Sequence, residues 1–191
     1  MMRQKILITG NLGYIGPVLS RFLKNSLENI EIIGFDSGYF AHCLTDPDLH
    51  PEIHTDSQIY GDIRNFPEEL LNNIDSVIHL SAISNDPMGN KFEKQTYDIN
   101  FFASVQLAKL CSEKGIRSFV FASSCSIYGF SEQGPRKETD QLNPLTAYAK
   151  SKVNTEKKLL EIANQENNLT KFTSLRFSTA CGMSSRLRLD L

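Results

Sequence analysis

Apolar residues along this chain fall into short runs, separated by longer stretches in which they recur every three or four positions. Lys5–Thr9 (KILIT) is the first run, and its unbroken aliphatic character predicts a strand buried on both faces of a parallel sheet. Beyond Gly13 the spacing changes to Ile15, Val18, Leu19, Phe22 and Leu23, one face of a helix. Ile30–Phe35 predicts a second strand, Ile59–Arg64 a short third strand with its exit, and Ser76–Leu80 a fourth. After a loop around Gly89, a long helical pattern runs from about Glu93 to Glu113, with the polar Asn100 in its middle. Ile116–Ala122 predicts a fifth strand. A helix opens at Thr146 with an apolar stripe through Val153, Leu159, Leu160 and Ile162, and Lys171–Ser178 predicts a sixth strand. Polar, turn-rich segments at 38–58 and 130–143 read as surface loops. Strands alternating with helices predict an α/β protein with a doubly wound parallel sheet.

Composition narrows the functional classes. The 191 residues suffice for one good core and so for one domain. A net charge of −2 with interspersed signs points to neither a nucleic-acid nor a membrane surface. No apolar run approaches a bilayer-spanning length, and Gly10 and Asn11 interrupt the first one too early for a signal peptide. Cys43, Cys111, Cys125 and Cys181 have neither paired nor metal-type spacing and read as reduced thiols of a cytoplasmic chain. His42, His50 and His54 lack regular ligand spacing, so no metal is expected. His79, inside an apolar strand, reads as a packed core residue.

Three stretches carry candidate chemistry. Gly10, Gly13 and Gly16 follow the first strand at steps of three, where a tight turn brings backbone N–H groups to a pyrophosphate at a helix N-terminus. The spacing is GxxGxxG and not GxGxxG, so a ligand-free βα turn remains the competing reading. Asp36 stands just after the second strand, twenty residues beyond Gly16, where a carboxylate takes the hydroxyls of an adenosine ribose. It would repel a 2′-phosphate, and Ser37 and Gly38 supply no cation to receive one, which favours NAD over NADP. Tyr148 and Lys152, four apart, share one helix face. A tyrosine of pKa about 10 becomes a usable base when an ammonium draws that value down, and a serine such as Ser124 can hold the reacting oxygen. Taken by itself, Tyr148/Lys152 also fits an ordinary amphipathic helix. Asp62 either sits near an adenine edge or caps a helix beginning around Pro67. Asn100 is either a structural brace or a holder of water near the site.

In this order and spacing, the glycine turn, His79-Leu80-Ser81-Ala82, Asn100, Ser123-Ser124 with Ile127-Tyr128-Gly129, Tyr148-Ala149-Lys150-Ser151-Lys152 and Leu175-Arg176-Phe177 before Gly182 resemble the extended short-chain dehydrogenase/reductase family, in its nucleotide-sugar epimerase/dehydratase branch. The resemblance covers nearly the whole chain. It implies a Rossmann-type sheet binding NAD and a nucleotide-sugar substrate, with Tyr148 as acid/base. Lys152 would bind the nicotinamide ribose and lower the tyrosine pKa. Ser124, four before Tyr128, would anchor the sugar oxygen, with Ser123 as second choice. It further implies cofactor contacts from Gly10, Asn11, Leu12, Gly13, Tyr14, Ile15, Gly16, Asp36, Asp62, Ile63, Leu80, Ser81, Ala82, Asn100 and Lys152. Family members that dehydrate the sugar carry Asp-Glu after the Ser/Thr; Cys125 and Ser126 stand there, which disfavours a 4,6-dehydratase and leaves an epimerase or a keto-sugar oxidoreductase. The Ser84-Asn85-Asp86-Pro87 loop and the Arg186/Arg188 pair resemble a less-characterised subgroup of sugar epimerases, in which the arginines would either contact substrate phosphate or form a solvated surface pair.

Members of the family are longer. The resemblance therefore implies an NAD-binding domain over residues 1–179, the start of a substrate region over 180–191, and a C-terminal substrate domain largely absent. Turnover by these residues alone is not expected. The alternative is a truncated, non-catalytic dinucleotide-binding domain that self-associates. The family's homodimer contact implicates the long helices around Ser104 and Val153.

Overall fold

The computed structural model describes residues 3–46, 50–130 and 134–186. Six strands, β1 (Gln4–Thr9), β2 (Ile30–Asp36), β3 (Ser57–Tyr60), β4 (Ser76–His79), β5 (Ser118–Ser124) and β6 (Lys171–Phe177), form one sheet in the order β3-β2-β1-β4-β5-β6. Every pairing is parallel. Chain order reverses between β1 and β4, so the crevice above their carboxyl ends is the place where such sheets take ligands.

β1 shows why the sheet is buried on both sides. Leu7 enters one apolar cluster with Phe35, Val77, Phe119, Leu107 and Leu159, while Ile6 and Ile8 enter another with Ile30 and Ile32. Helix α1 (Gly16–Ser26) covers the second cluster through Leu19 and Leu23. Helices α4 (Ser104–Glu113) and α5 (Ala147–Ala163) cover the first. β6 closes the edge, and its residues Leu175 and Phe177 remain 40% and 37% exposed.

Two expectations about helices need correction. No α-helix begins near Pro67; a 3-10 turn spans Glu68–Leu71, and Asn73 at φ 62° turns the chain back towards β4. The loop around Gly89 contains a short helix α2 (Asp86–Lys91), capped by the Asn85 side chain accepting from Met88 N. The long helix at 93–113 is present but not uniform. It begins as α3 (Glu93–Tyr97), widens into a π-helical stretch at Asp98–Ala103 and continues as α4. Such one-residue insertions recur at functional sites.

Candidate active site

The first βα turn is built from backbone packed on backbone. A Cβ on Gly10 would meet Ser81 N at 2.5 Å, and one on Gly16 would meet Asn11 O at 2.0 Å. A Cβ on Gly13 would meet only Gly10 O, at 3.3 Å. Gly10 and Gly16 thus let the turn close against β4 and against itself, while Gly13 leaves the crevice side free for a ligand to approach. Asn11 and Leu12 are buried, and the Asn11 amide donates to Gln58 Oε1 at 2.6 Å.

Asp36 ends β2 beside this turn. Its carboxylate accepts from Leu12 N at 3.1 Å and Gly38 N at 2.8 Å. Burial raises its pKa, while those two N–H groups, Arg186 and Ser37 N pull in the opposite direction. Arg186 brings a cation near Asp36 from 150 residues downstream, as no reading of Ser37 and Gly38 anticipates. Its guanidinium is 1% exposed and committed to Glu52 and the Ala41 carbonyl. Arg186 is therefore neither a solvated surface residue nor free for a substrate phosphate; Arg188 lies outside the described residues. The segment ending in Arg186 also folds back onto the glycine turn, through Tyr14 OH on the Gly182 carbonyl and Ser184 Oγ on the Tyr14 carbonyl at 2.6 Å.

The second half of the site lies above β4 and β5. Thr146 caps α5 by accepting from Ala149 N at 3.1 Å, and donates to Asp86 on α2 at 2.6 Å. Gly89 of α2 packs against Tyr148, so near that an added Cβ would lie 3.1 Å from the tyrosine Cβ. Together these contacts aim the first turn of α5 at the end of β5, where Ser124 stands near enough to Tyr148 for its hydroxyl to favour the phenolate. Ser124 Oγ also accepts from Ser126 N at 3.2 Å and opens a 3-10 turn at Cys125–Tyr128.

Lys152 lies one turn further along α5, 2% exposed. Its ammonium donates to the Ala122 carbonyl at 2.7 Å and sits over the Phe121 ring at 4.7 Å and the Tyr148 ring at 5.6 Å. Burial pulls its pKa down to about 7. The expectation that this ammonium lowers the tyrosine pKa finds no support, since Lys152 is not among the groups that shift it. Burial holds the Tyr148 phenol above its ordinary value, the Ser124 hydroxyl works against that, and Asp86 and Cys125 reinforce it.

Four other expected contacts have structural partners of their own. Asn100 is 0% exposed; it accepts from Ile83 N at 2.8 Å and donates to Ile83 O at 2.9 Å and Ser151 Oγ at 3.3 Å. Of its two readings, this is the brace: it ties the loop after β4 to α5. Asp62 caps not a helix at Pro67 but the 3-10 turn Ile63–Asn65, accepting from Arg64 N and pairing with the Arg64 side chain. Ile63 is a core residue. Leu80 packs in the α1-side cluster, while Ser81 and Ala82 remain half-buried beside Gly10. His79 is enclosed between Thr9 Oγ1 at 2.6 Å and Ser104 Oγ at 2.7 Å. The sequence pattern does not single out Glu156, which binds Ser123 and Arg176 behind the Ser124/Tyr148/Lys152 cluster; its place four residues after Lys152 is the available signal. Among the described residues no helix is long and apolar enough to cross a membrane, and no three His, Cys, Asp or Glu side chains converge as a metal site.

A glycine turn, an acidic end to β2 and a Ser/Tyr/Lys cluster around one switch point define a dinucleotide-binding α/β domain with a serine, a tyrosine and a lysine at its crevice. The chain belongs to the NAD dependent epimerase/dehydratase family, whose model matches residues 6–188. It is 28% identical over 186 residues to a UDP-glucose 4-epimerase of Lactobacillus helveticus, covering 95% of this chain and 53% of that one. It is 31% identical over 194 residues to an uncharacterised UDP-glucose epimerase of Bacillus subtilis, YtcB, covering 95% and 58%. Among solved structures, TunA, an NAD-dependent NDP-hexosamine 5,6-dehydratase, superposes with a TM-score of 0.84 at 27% identity, over 96% of this chain and 57% of that one. MoeE5, solved with UDP-glucuronic acid and NAD, gives 0.82 at 28% identity, over 98% and 58%. The chain thus spans about half the length of the curated relatives it matches.

Proposed function

We propose that this chain is the cofactor-binding portion of an NAD-dependent nucleotide-sugar epimerase or keto-sugar oxidoreductase. The observation that carries the reading is the meeting of Ser124 and Tyr148 at the carboxyl end of β5, with Lys152 one turn away and the glycine turn across the same crevice. The residues fit NAD: Gly13 leaves room where a diphosphate would approach, and the Asp36 carboxylate faces the turn with Leu12 and Gly38 N–H groups holding it in place. Bound NAD supplies the acceptor, and later the donor, of the sugar hydride. The chain's own groups manage the proton. Tyr148 takes it from the sugar hydroxyl and returns it, Ser124 holds the same oxygen, and Lys152 holds the nicotinamide ribose. Burial favours the protonated phenol, so its work as a base depends on positive charge held beside it.

The homodimer belongs to this reading. Phe102 is 60% exposed beside α4, and an open groove of about 790 Å³ between the two long helices is lined by Phe101, Phe102, Val105 and Ile162. The same surface serves the second reading, a non-catalytic domain that associates with itself; a single monomer at high concentration would count against both forms of association.

Calorimetric titration of the chain with NAD⁺ and with NADP⁺ tests the cofactor assignment, with saturable binding and a preference for NAD⁺ expected. The Tyr148→Phe substitution in the longer protein should abolish hydride traffic at the sugar while leaving NAD⁺ binding in place. Turnover unchanged by that substitution would sink the assignment.

A further inference from the structure

Ser123 and Arg176 face each other as register partners in β5 and β6, and both side chains meet Glu156 on α5. Ser123 Oγ donates to Glu156 Oε1 at 2.5 Å. Arg176 grips both carboxylate oxygens, with Nε to Oε1 at 3.1 Å and Nη2 to Oε2 at 2.7 Å. Its remaining nitrogen, Nη1, donates to Tyr128 OH at 2.7 Å and to the Glu138 carbonyl at 2.8 Å. The two charged side chains are only 19% and 11% exposed, so this fork-to-carboxylate pair is screened far less than a surface one.

No step of the proposed proton transfer uses this network, yet it borders both ends of the site. Ser123 precedes Ser124, Tyr128 ends the 3-10 turn that Ser124 opens, and Glu156 lies one helical turn beyond Lys152. Among the described residues the Lys152 ammonium touches no carboxylate: its contacts are the Ala122 carbonyl and the Phe121 and Tyr148 rings. The titratable groups around it are Tyr148 and Glu156 on α5 and His79 on β4, with Arg176 of β6 behind Glu156. Burial disfavours its charged form and Glu156 supports it.

We propose that Glu156 and Arg176 are positioning residues of the proton-transfer site: the carboxylate sustains the Lys152 ammonium, and the guanidinium moderates that support while pinning the turn that carries Ser124. The importance given to Lys152 rests on the proposed function, but its charge state can be read without cofactor. In the 191-residue chain labelled with ¹³Cε-lysine, a pH titration by NMR follows Lys152, whose signal the Lys152→Arg variant identifies. Glu156→Gln should lower the midpoint, with a loss in proton affinity of about tenfold or more. Arg176→Met, which leaves the Glu156 charge without its partner, should raise it, and Arg176→Lys should bring it back towards the wild type. A purely structural role would not move the midpoint in opposite directions from the two ends of one ion pair.

Midpoints that stay put, or that move the same way in both variants, would overturn the proposal. If circular dichroism shows Glu156→Gln unfolded, the Arg176→Met shift decides alone, a fixed or falling midpoint counting against it. NAD⁺ titrations in parallel keep the two questions apart. Failure of the wild type to bind, with the opposite shifts intact, would remove the proposed function and leave this inference standing.

Discussion

Asn100→Ala separates a brace from a cofactor contact, because the two predict losses in different experiments. The amide joins Ile83 N, Ile83 O and Ser151 Oγ in a place with no accessible surface. Ser151 keeps a partner when the amide is removed, since its hydroxyl also donates to the Tyr148 carbonyl at 2.7 Å. The Ile83 N–H and C=O lose the partner that spans them. An orphaned buried backbone group costs about 1–3 kcal/mol, so the pair comes to roughly 2–6 kcal/mol, less where relaxation lets water in. Against a total stability of about 5–15 kcal/mol this is a large fraction. With an m-value of about 2 kcal/mol/M, the urea midpoint of the chain should fall by about 1–3 M. The exposed Asn65→Ala is the control and should move it little. A loss below about 0.5 kcal/mol in Asn100→Ala, the size typical of an unremarkable surface change, would refute the brace and return Asn100 to the cofactor.

Two further outcomes follow from the glycine turn and the buried histidine. Gly16→Ala should destabilise the chain by about 3 kcal/mol or more, because its methyl meets the Asn11 backbone on three atoms. Gly13→Ala should leave the urea midpoint nearly unchanged and weaken NAD⁺ roughly tenfold by calorimetry, a cost of about 1.4 kcal/mol; equal effects of the two on stability would contradict the roles assigned to them. Burial, and then the Lys152 charge, push the His79 pKa down from 6.5 to about 3. The folded chain therefore binds fewer protons than the unfolded one in between, and stability should be fully present above pH 6.5 and fall as the pH drops towards 3. Urea midpoints at pH 7 and pH 5 should show the fall, and His79→Asn should flatten it.

The alternation of aliphatic runs with helical spacing was enough to locate all six strands and the helices at α1, α4 and α5, because each reports directly on burial. β1 reads as KILIT for the plain reason that both its faces are covered. α2 was hidden: six residues including Pro87 and Gly89 carry no helical period, and only the Asn85 cap and the contacts to Thr146 and Tyr148 give it shape. The helix expected at Pro67 failed in the reverse way, since the span from Pro67 to Ser76 leaves room for a single turn. At the site, Ser124, Tyr148 and Lys152 could be aligned by spacing within a strand end and a helix face. Arg186 with Glu52, and Glu156 with Arg176 and Ser123, are pairings set by tertiary packing across 134, 20 and 33 residues. Nothing local in the sequence announces them. The environment of the Tyr148 phenol escapes spacing for a related reason: the Lys152 ammonium is near in sequence, but its hydrogen bond goes to Ala122.

The π-helical stretch at Asp98–Ala103 has a consequence for which changes this gene can tolerate. Asn100 lies inside it and meets Ile83 and Ser151, while Ser104, just past it, meets His79 and reaches the Ile99 carbonyl five residues back. Deleting one residue between them would restore an ordinary α-helical turn and cost no backbone hydrogen bond within the helix. It would also rotate one half against the other by about 100°. Either the asparagine or the serine would then point away from its partner. This helix can accept substitutions on its outer face, but its residue count is fixed between positions 98 and 104, so drift here should proceed by exchange of side chains and never by insertion or loss.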